Sequence, residues 1–154
     1  MLQSGLPAPD FTLPDADMET FDLSDFLGKK VVLYFYPKDD TPGCTMEAIE
    51  FSDLDEEFAK QNTVILGVSK DDCMSHAAFR DKHGLAITLL SDEEGKICDL
   101  YDVWQQKEKD GVKKMGIVRS TFIIDEKGML QHVQYGVVAK GHAQEILQLI
   151  KSCR

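Results

Sequence analysis

Two continuous apolar runs in the first half of the chain constrain its fold more than any other feature. VVLYFY occupies residues 31–36 and TVILGVS residues 63–69, and such runs are typical of strands covered on both faces. Between them, apolar residues recur at spacings of three and four, which predicts an amphipathic helix beginning near Cys44. These residues are Ala48, Phe51, Leu54 and Phe58. Strand, helix and strand form a βαβ unit with parallel strands, so we predict an α/β fold in which the first strand is central.

The rest of the chain extends this pattern. STFIID and MLQHVQYG flank a turn at residues 126–128, which predicts an antiparallel hairpin, and GHAQEILQLIK predicts a final amphipathic helix. FTLPDADMETFDL near the start predicts one further small hairpin. This order predicts a thioredoxin-like fold, with a central mixed sheet flanked by helices and an N-terminal β-hairpin extension.

Three shorter elements are expected in the middle of the chain. One helix begins with Asp71 or Asp72 as its N-cap and ends at Gly84. EEGKICDLYDVW predicts a second helix, with Ile97, Leu100 and Tyr101 facing inward. Residues 105–116 are polar and contain glycines, which predicts an exposed loop or hairpin.

Length and charge restrict the classes of function. A chain of 154 residues suits a single domain over residues 1–154. Its formal net charge of -10 repels nucleic acids and anionic lipids. No apolar run is long enough to span a bilayer, and the first residues do not resemble an export signal, so we expect a cytoplasmic protein. We expect this protein to be a monomer or a weak homodimer. The cysteines and histidines lack the spacing of metal ligands, so neither a metal nor another cofactor is expected.

The loop that precedes the first helix carries the candidate nucleophile. PKDDTPGC is rich in proline, aspartate and glycine, and it places Cys44 at the predicted helix N-terminus. A helix N-terminus favours the reactive thiolate form of cysteine. Thr41 stands where a thioredoxin-type C-x-x-C motif would have its first cysteine. A hydroxyl there suits the orientation of an oxygen-rich substrate better than disulfide exchange.

These residues carry a resemblance to a known family. YPKDDTPGCTMEA resembles the active-site loop of peroxiredoxins, whose pattern P-x-x-x-T-x-x-C is met by Pro37, Thr41 and Cys44. The segments SHAAFRDKHGL, RSTFIID and VAKGHA are similar to the bacterioferritin comigratory protein or peroxiredoxin Q subfamily. The resemblance covers essentially the whole chain.

The resemblance implies a thiol-dependent peroxidase that reduces hydrogen peroxide and organic hydroperoxides. Cys44 would attack the peroxide and become a sulfenic acid, and Arg119 would stabilise the negative charge that develops. Pro37 would shield the sulfur, and Thr41 would hydrogen-bond the peroxide. Thioredoxin or another small thiol would be the reductant.

Other candidate residues leave alternatives open. Glu47 falls where the family often has a carboxylate near the site, but it could equally be a first-turn acid that favours the helix dipole. Trp104 is expected to end the apolar face of a helix and to pack against the hairpin, although a partner contact remains open. The histidines are expected to be helix caps or surface residues. They are His76, His83, His132 and His142.

The residue that would resolve the sulfenic acid departs from the family pattern. The two positions at which family members carry a resolving cysteine hold Ile49 and Arg80 here. Cys73 precedes Arg80 in the same predicted helix, so it is either a displaced resolving cysteine or a small residue at a helix start. Cys98 is expected to be buried, and Cys153 lies in the C-terminal tail.

Three mechanisms therefore compete. We expect a single-cysteine peroxidase that uses an external thiol, with a two-cysteine enzyme using Cys73 as the alternative. A thioredoxin-like binding or chaperone domain without turnover is opposed by the joint presence of Thr41, Cys44 and Arg119.

Overall fold

A computed structural model describes residues 1–152 of the chain. At its centre lies a five-stranded mixed sheet. Its strands are β3 (Lys30–Phe35), β4 (Thr63–Ser69), β5 (Thr88–Ser91), β8 (Ser120–Ile124) and β9 (Leu130–Tyr135). They lie in the order β5-β4-β3-β8-β9, and the middle strand β3 pairs in parallel with β4 and antiparallel with β8. The predicted mixed sheet and its central strand are confirmed.

Side chains alternate along β3 between two apolar cores. Val31, Leu33 and Phe35 belong to the core on one face, together with aromatic residues such as Phe122. Val32 and Tyr34 belong to the core on the other face, which also contains Cys44, Phe51 and residues of the last helix. Because both faces are covered, the strand reads as a continuous apolar run.

Two helices, not one, follow β3. Helix α1 spans Pro42–Asp53 and α2 spans Asp55–Lys60. The break falls at Leu54, whose φ and ψ of -99° and 3° do not continue the helix. The predicted apolar face was therefore correct, but its assignment to a single helix was wrong.

Helix α3 (Cys73–His83) confirms both of its predicted boundaries. The side chain of Asp72 accepts a hydrogen bond from the backbone N–H of Ser75 at 2.8 Å, which makes Asp72 the N-cap. Gly84 ends the helix with a left-handed φ of 61°. The predicted final helix is also present, as α5 (His142–Ser152).

Two hairpins lie outside the central sheet. The predicted N-terminal hairpin pairs β1 (Thr12–Pro14) with β2 (Thr20–Asp22), and a 3-10 helix follows at Leu23–Phe26. The segment predicted as an exposed loop or hairpin is the hairpin of β6 (Trp104–Lys109) and β7 (Val112–Ile117).

The region around α4 differs in detail from the prediction. Helix α4 spans only Lys96–Leu100, and Leu100 is 51% exposed instead of facing inward. Trp104 begins β6 and does not end a helix. None of the helices in residues 1–152 is long and apolar enough to cross a membrane.

Candidate active site

The start of α1 positions Cys44 at the end of the central strand. Thr41 is the N-cap, with an extended backbone, and its carbonyl accepts the first helical hydrogen bond from the N–H of Thr45 at 2.8 Å. Pro42 occupies the first helical position, where its fixed φ suits a helix and no N–H is needed. The N–H groups of Gly43 and Cys44 precede the helical hydrogen-bond ladder, so they are available near the sulfur.

Arg119 binds the thiol directly. It lies in the link between β7 and β8, and its Nη2 donates to Sγ of Cys44 at 3.3 Å. Its Nη1 donates to Oε1 of Glu47 at 2.6 Å. A Cβ added to Gly43 would lie 3.2 Å from Nη2, so the glycine gives the guanidinium room to approach. One guanidinium therefore bridges the candidate nucleophile and a carboxylate on the same helix.

The side chains of the site are largely buried. Cys44 is 2% exposed, the Glu47 side chain is fully buried and that of Arg119 is 17% exposed. Burial raises the pKa of Glu47 to about 7, although the charge of Arg119 opposes the shift. Burial alone would lower the pKa of Arg119, but the charges of Glu47 and Cys44 raise it overall. A fixed cation therefore faces a carboxyl group that titrates near neutral pH.

Two further buried polar atoms lie in this neighbourhood. Neither Oε2 of Glu47 nor the hydroxyl of Tyr34 has a hydrogen-bond partner among the described residues. Burial raises the pKa of Tyr34 well above its usual value, and the nearby charges of Glu47 and Cys44 add to the shift. Buried polar atoms without protein partners cost stability.

Thr41 and Pro37 lie on the loop that leads from β3 into α1. The hydroxyl of Thr41 donates to the carbonyl of Lys38 at 2.8 Å and does not cap the helix. Pro37 is exposed two residues after the end of β3. The structure thus brings Cys44 and Arg119 into contact and places Thr41 one helical turn before the sulfur, while the roles of all four residues stay predictions.

The other two cysteines in the described part of the chain are also free thiols, but neither is hydrogen-bonded to Arg119 as Cys44 is. Cys73 is partly exposed at the first position of α3. Its pKa is raised, mainly by partial burial and to a smaller extent by the charges of Glu93 and Asp15. Cys98 is fully buried, as predicted, and burial together with its hydrogen bond to Asp92 raises its pKa. Cys153 lies outside the described residues.

The sequence-based treatment of two histidines was wrong. His76 and His142 were expected to be caps or surface residues, but they are 0% and 2% exposed. Burial lowers the pKa of His142, whose Nε2 lies 2.7 Å from the hydroxyl of Thr121. Both imidazoles are buried because each has hydrogen-bond partners inside the fold.

Glu47 is the site residue for which the sequence left the function open. Its spacing of three from Cys44 places the two side chains on neighbouring positions of the helix surface. That spacing was the available signal, but only the structure adds the contact with Arg119.

Comparisons with known proteins find relatives along nearly the whole chain. Residues 4–133 match the model of the AhpC/TSA family. The putative peroxiredoxin bcp of Helicobacter pylori is 49% identical over 147 residues, which are 96% of this chain and 97% of the relative. The chain belongs to the AhpC/TSA family. Peroxiredoxin Bcp of Bacillus subtilis is 47% identical over 150 residues, which are 97% of this chain and 96% of the relative.

Solved structures similar to this peroxiredoxin include a bacterioferritin comigratory protein and a peroxidoxin. The bacterioferritin comigratory protein of Xanthomonas campestris, described with alkyl peroxide reduction activity, superimposes with a TM-score of 0.91 at 36% identity. The match covers 97% of this chain and 98% of that one. Peroxidoxin BcpB of Mycobacterium tuberculosis gives a TM-score of 0.88 at 33% identity over 100% of this chain and 99% of that one. The thioredoxin-like peroxiredoxin fold and the resemblance to bacterioferritin comigratory proteins are both confirmed.

Proposed function

We propose that this thiol-dependent peroxidase reduces hydrogen peroxide and organic hydroperoxides through Cys44. The observation that carries the proposal is the 3.3 Å contact between Nη2 of Arg119 and Sγ of Cys44 at the start of α1. A largely buried guanidinium and a helix N-terminus both stabilise a thiolate, which is the reactive form of cysteine.

The first half-reaction breaks the peroxide O–O bond. The thiolate of Cys44 attacks one oxygen, the S–O bond forms, and the second oxygen leaves with the electron pair as water or an alcohol once it is protonated. Arg119 and the backbone N–H of Cys44 stabilise the charge on the oxygens, and the hydroxyl of Thr41 orients the peroxide. Pro37 shields the sulfur from solvent. Glu47 acts through Arg119 as a positioning residue, because it fixes one edge of the guanidinium.

An external thiol completes the cycle in this proposal. A thiol attacks the sulfur of the sulfenic acid and water leaves, and a second thiol then releases Cys44 from the mixed disulfide. Ile49 and Arg80 occupy the usual resolving positions, and Cys98 is buried beside a carboxylate. Thioredoxin or another small thiol is the proposed reductant, and the cytoplasm, where such thiols are kept reduced, is the proposed compartment.

Mass spectrometry of the intact protein after one equivalent of hydrogen peroxide tests this mechanism. A gain of one oxygen that is lost in Cys44→Ser supports a sulfenic acid and external resolution. A loss of two hydrogens that disappears in Cys73→Ser shows a two-cysteine enzyme instead. An unchanged mass, with no peroxide consumed, shows a binding or chaperone domain.

A further inference from the structure

A buried hydrogen-bond network surrounds Asp39, in the loop between β3 and α1. The carboxylate, in a residue that is 7% exposed, accepts hydrogen bonds from the hydroxyls of Tyr36 and Ser75 at 2.5 and 2.8 Å. Nδ1 of the fully buried His76 lies 2.7 Å from its Oδ2. The other ring nitrogen of His76 lies 2.9 Å from the backbone carbonyl of Leu90.

These partners fix where the protons lie. A backbone carbonyl only accepts hydrogen bonds, so Nε2 of His76 carries a hydrogen. The short contact on the other side of the ring then needs a second proton between Nδ1 and the carboxylate of Asp39. A hydrogen bond between Nδ1 of His76 and Oδ2 of Asp39 therefore joins the two side chains inside the protein, where their exposed fractions are 0% and 4%.

The same atoms do not form a free cation site. Donor atoms of Asp39, Asp71 and His76 lie within 4.8 Å of one another. However, Oδ2 of Asp71 already accepts from the N–H of Asp39 at 2.8 Å and from the hydroxyl of Ser69 at 2.6 Å. Each carboxylate in the cluster thus has protein donors, and the network joins two elements of the fold instead of enclosing a ligand.

The two joined elements are the active-site loop and the start of α3. Asp39 lies between Pro37 and Thr41, whereas Ser75 and His76 lie in the first turn of α3. The next loop residue, Asp40, has a left-handed φ of 59° and pairs with Lys82 and His83 at the other end of that helix, in a more exposed setting.

We propose that the Asp39–His76 pair is a positioning device that holds the loop in the form that binds peroxide. Thr41 follows Asp39 by two residues, and its backbone starts the helix that presents Cys44. Release of Asp39 from α3 would free the loop that leads into Thr41, so the hydroxyl would lose its fixed place relative to the sulfur. The pair acts on the peroxide step, not on the intrinsic reactivity of the thiol.

The inference rests on the proposed roles of Thr41 and Cys44, and its test separates the two. The test variant is Asp39→Asn, which keeps the shape of the side chain and removes its charge. We expect the rate of Cys44 oxidation by hydrogen peroxide to fall roughly 10- to 100-fold, because small misplacements of reacting groups cost that much. Alkylation of Cys44 by iodoacetamide, followed by peptide mass spectrometry, should change by no more than about twofold, because it needs only the thiolate.

Asp81→Asn is the matched control, since it removes an exposed acid of α3 that pairs with Arg80 of the same helix and not with the loop, and its peroxide rate should stay near that of the wild type. Circular dichroism checks that each variant is folded; if Asp39→Asn does not fold, Ser75→Ala replaces it, with a smaller but equally selective loss expected. An unchanged peroxide rate, or equal losses of peroxide reaction and alkylation, would overturn the inference. Failure of the wild type to react with peroxide would instead overturn the proposed function.

Discussion

Replacement of Glu47 with glutamine removes a buried ionisable group from the site while keeping the shape of the side chain. The wild-type carboxyl has a pKa of about 7 in the folded protein against an ordinary value of 4.5. Between these two values the folded protein binds more protons than the unfolded chain, so stability falls as the pH rises. Glutamine does not titrate, so the variant lacks this loss.

The size of the effect follows from the two pKa values. The raised pKa costs about 3 kcal/mol once the pH is well above 7, and about 2 to 3 kcal/mol of this develops between roughly pH 5 and roughly pH 8. The carboxyl is buried, so solvent screening does not reduce this figure as it would at the surface. Any constant difference between glutamate and glutamine, such as a changed hydrogen bond to Arg119, cancels in the comparison of the two pH values.

Denaturant unfolding at both pH values measures the effect. Both proteins should carry Cys44→Ser, so that titration of the thiol does not contribute. We expect the free energy of unfolding of the glutamine variant, measured relative to that of its parent, to rise by about 2 to 3 kcal/mol from the lower to the higher pH. Glu56→Gln, at an exposed position of α2, is the control and should show a much smaller change. A difference that does not depend on pH, or that has the opposite sign, would refute the argument that burial holds the proton on Glu47.

Three further substitutions test the chemistry. Cys44→Ser should abolish peroxide consumption with the fold intact, because a serine hydroxyl has no accessible anion near neutral pH; unaltered turnover in a peroxidase assay would end the proposal. Arg119→Met should slow the first oxidation roughly 100-fold or more in stopped-flow measurements, because a charge-stabilising donor is lost; an unchanged rate would place Arg119 outside the reaction. Cys73→Ser should change neither the first oxidation nor steady-state reduction by a small thiol, whereas a Cys44–Cys73 crosslink in the wild-type peptide map would contradict single-cysteine resolution.

Much of the fold could be predicted because its signals are local in sequence. The run at residues 31–36 is apolar throughout, and the structure shows why, since both faces of β3 are covered. Asp72 and Gly84 bound α3 through a cap and a left-handed residue, and each needs only neighbouring backbone. The break at Leu54 was missed because the apolar spacing continues across it.

The interior polar groups were harder to predict, because their partners are distant in sequence. His76 looks like a surface residue of a polar helix until Asp39 and the carbonyl of Leu90 are brought to its two nitrogens. Glu47 has the same difficulty, because its partner Arg119 lies 72 residues away. Cys44 was identified from its loop and helix start, which are local features, whereas its electrostatic surroundings depend on tertiary contacts.

The same tertiary contacts bear on how oxidised Cys44 is reduced. Cys73 is the first residue of α3, and Ser75 and His76, which bind Asp39, follow in the same turn. A disulfide with Cys44 needs Cα atoms about 4.4 to 6.8 Å apart. If the start of α3 unwound to reach that distance, it would give up the hydrogen bonds to Asp39 and the cap at Asp72. The raised pKa of Cys73 also lowers its thiolate fraction. Internal resolution through an unwound start of α3 would therefore dismantle contacts that hold the peroxide-binding loop, whereas an external thiol leaves them in place.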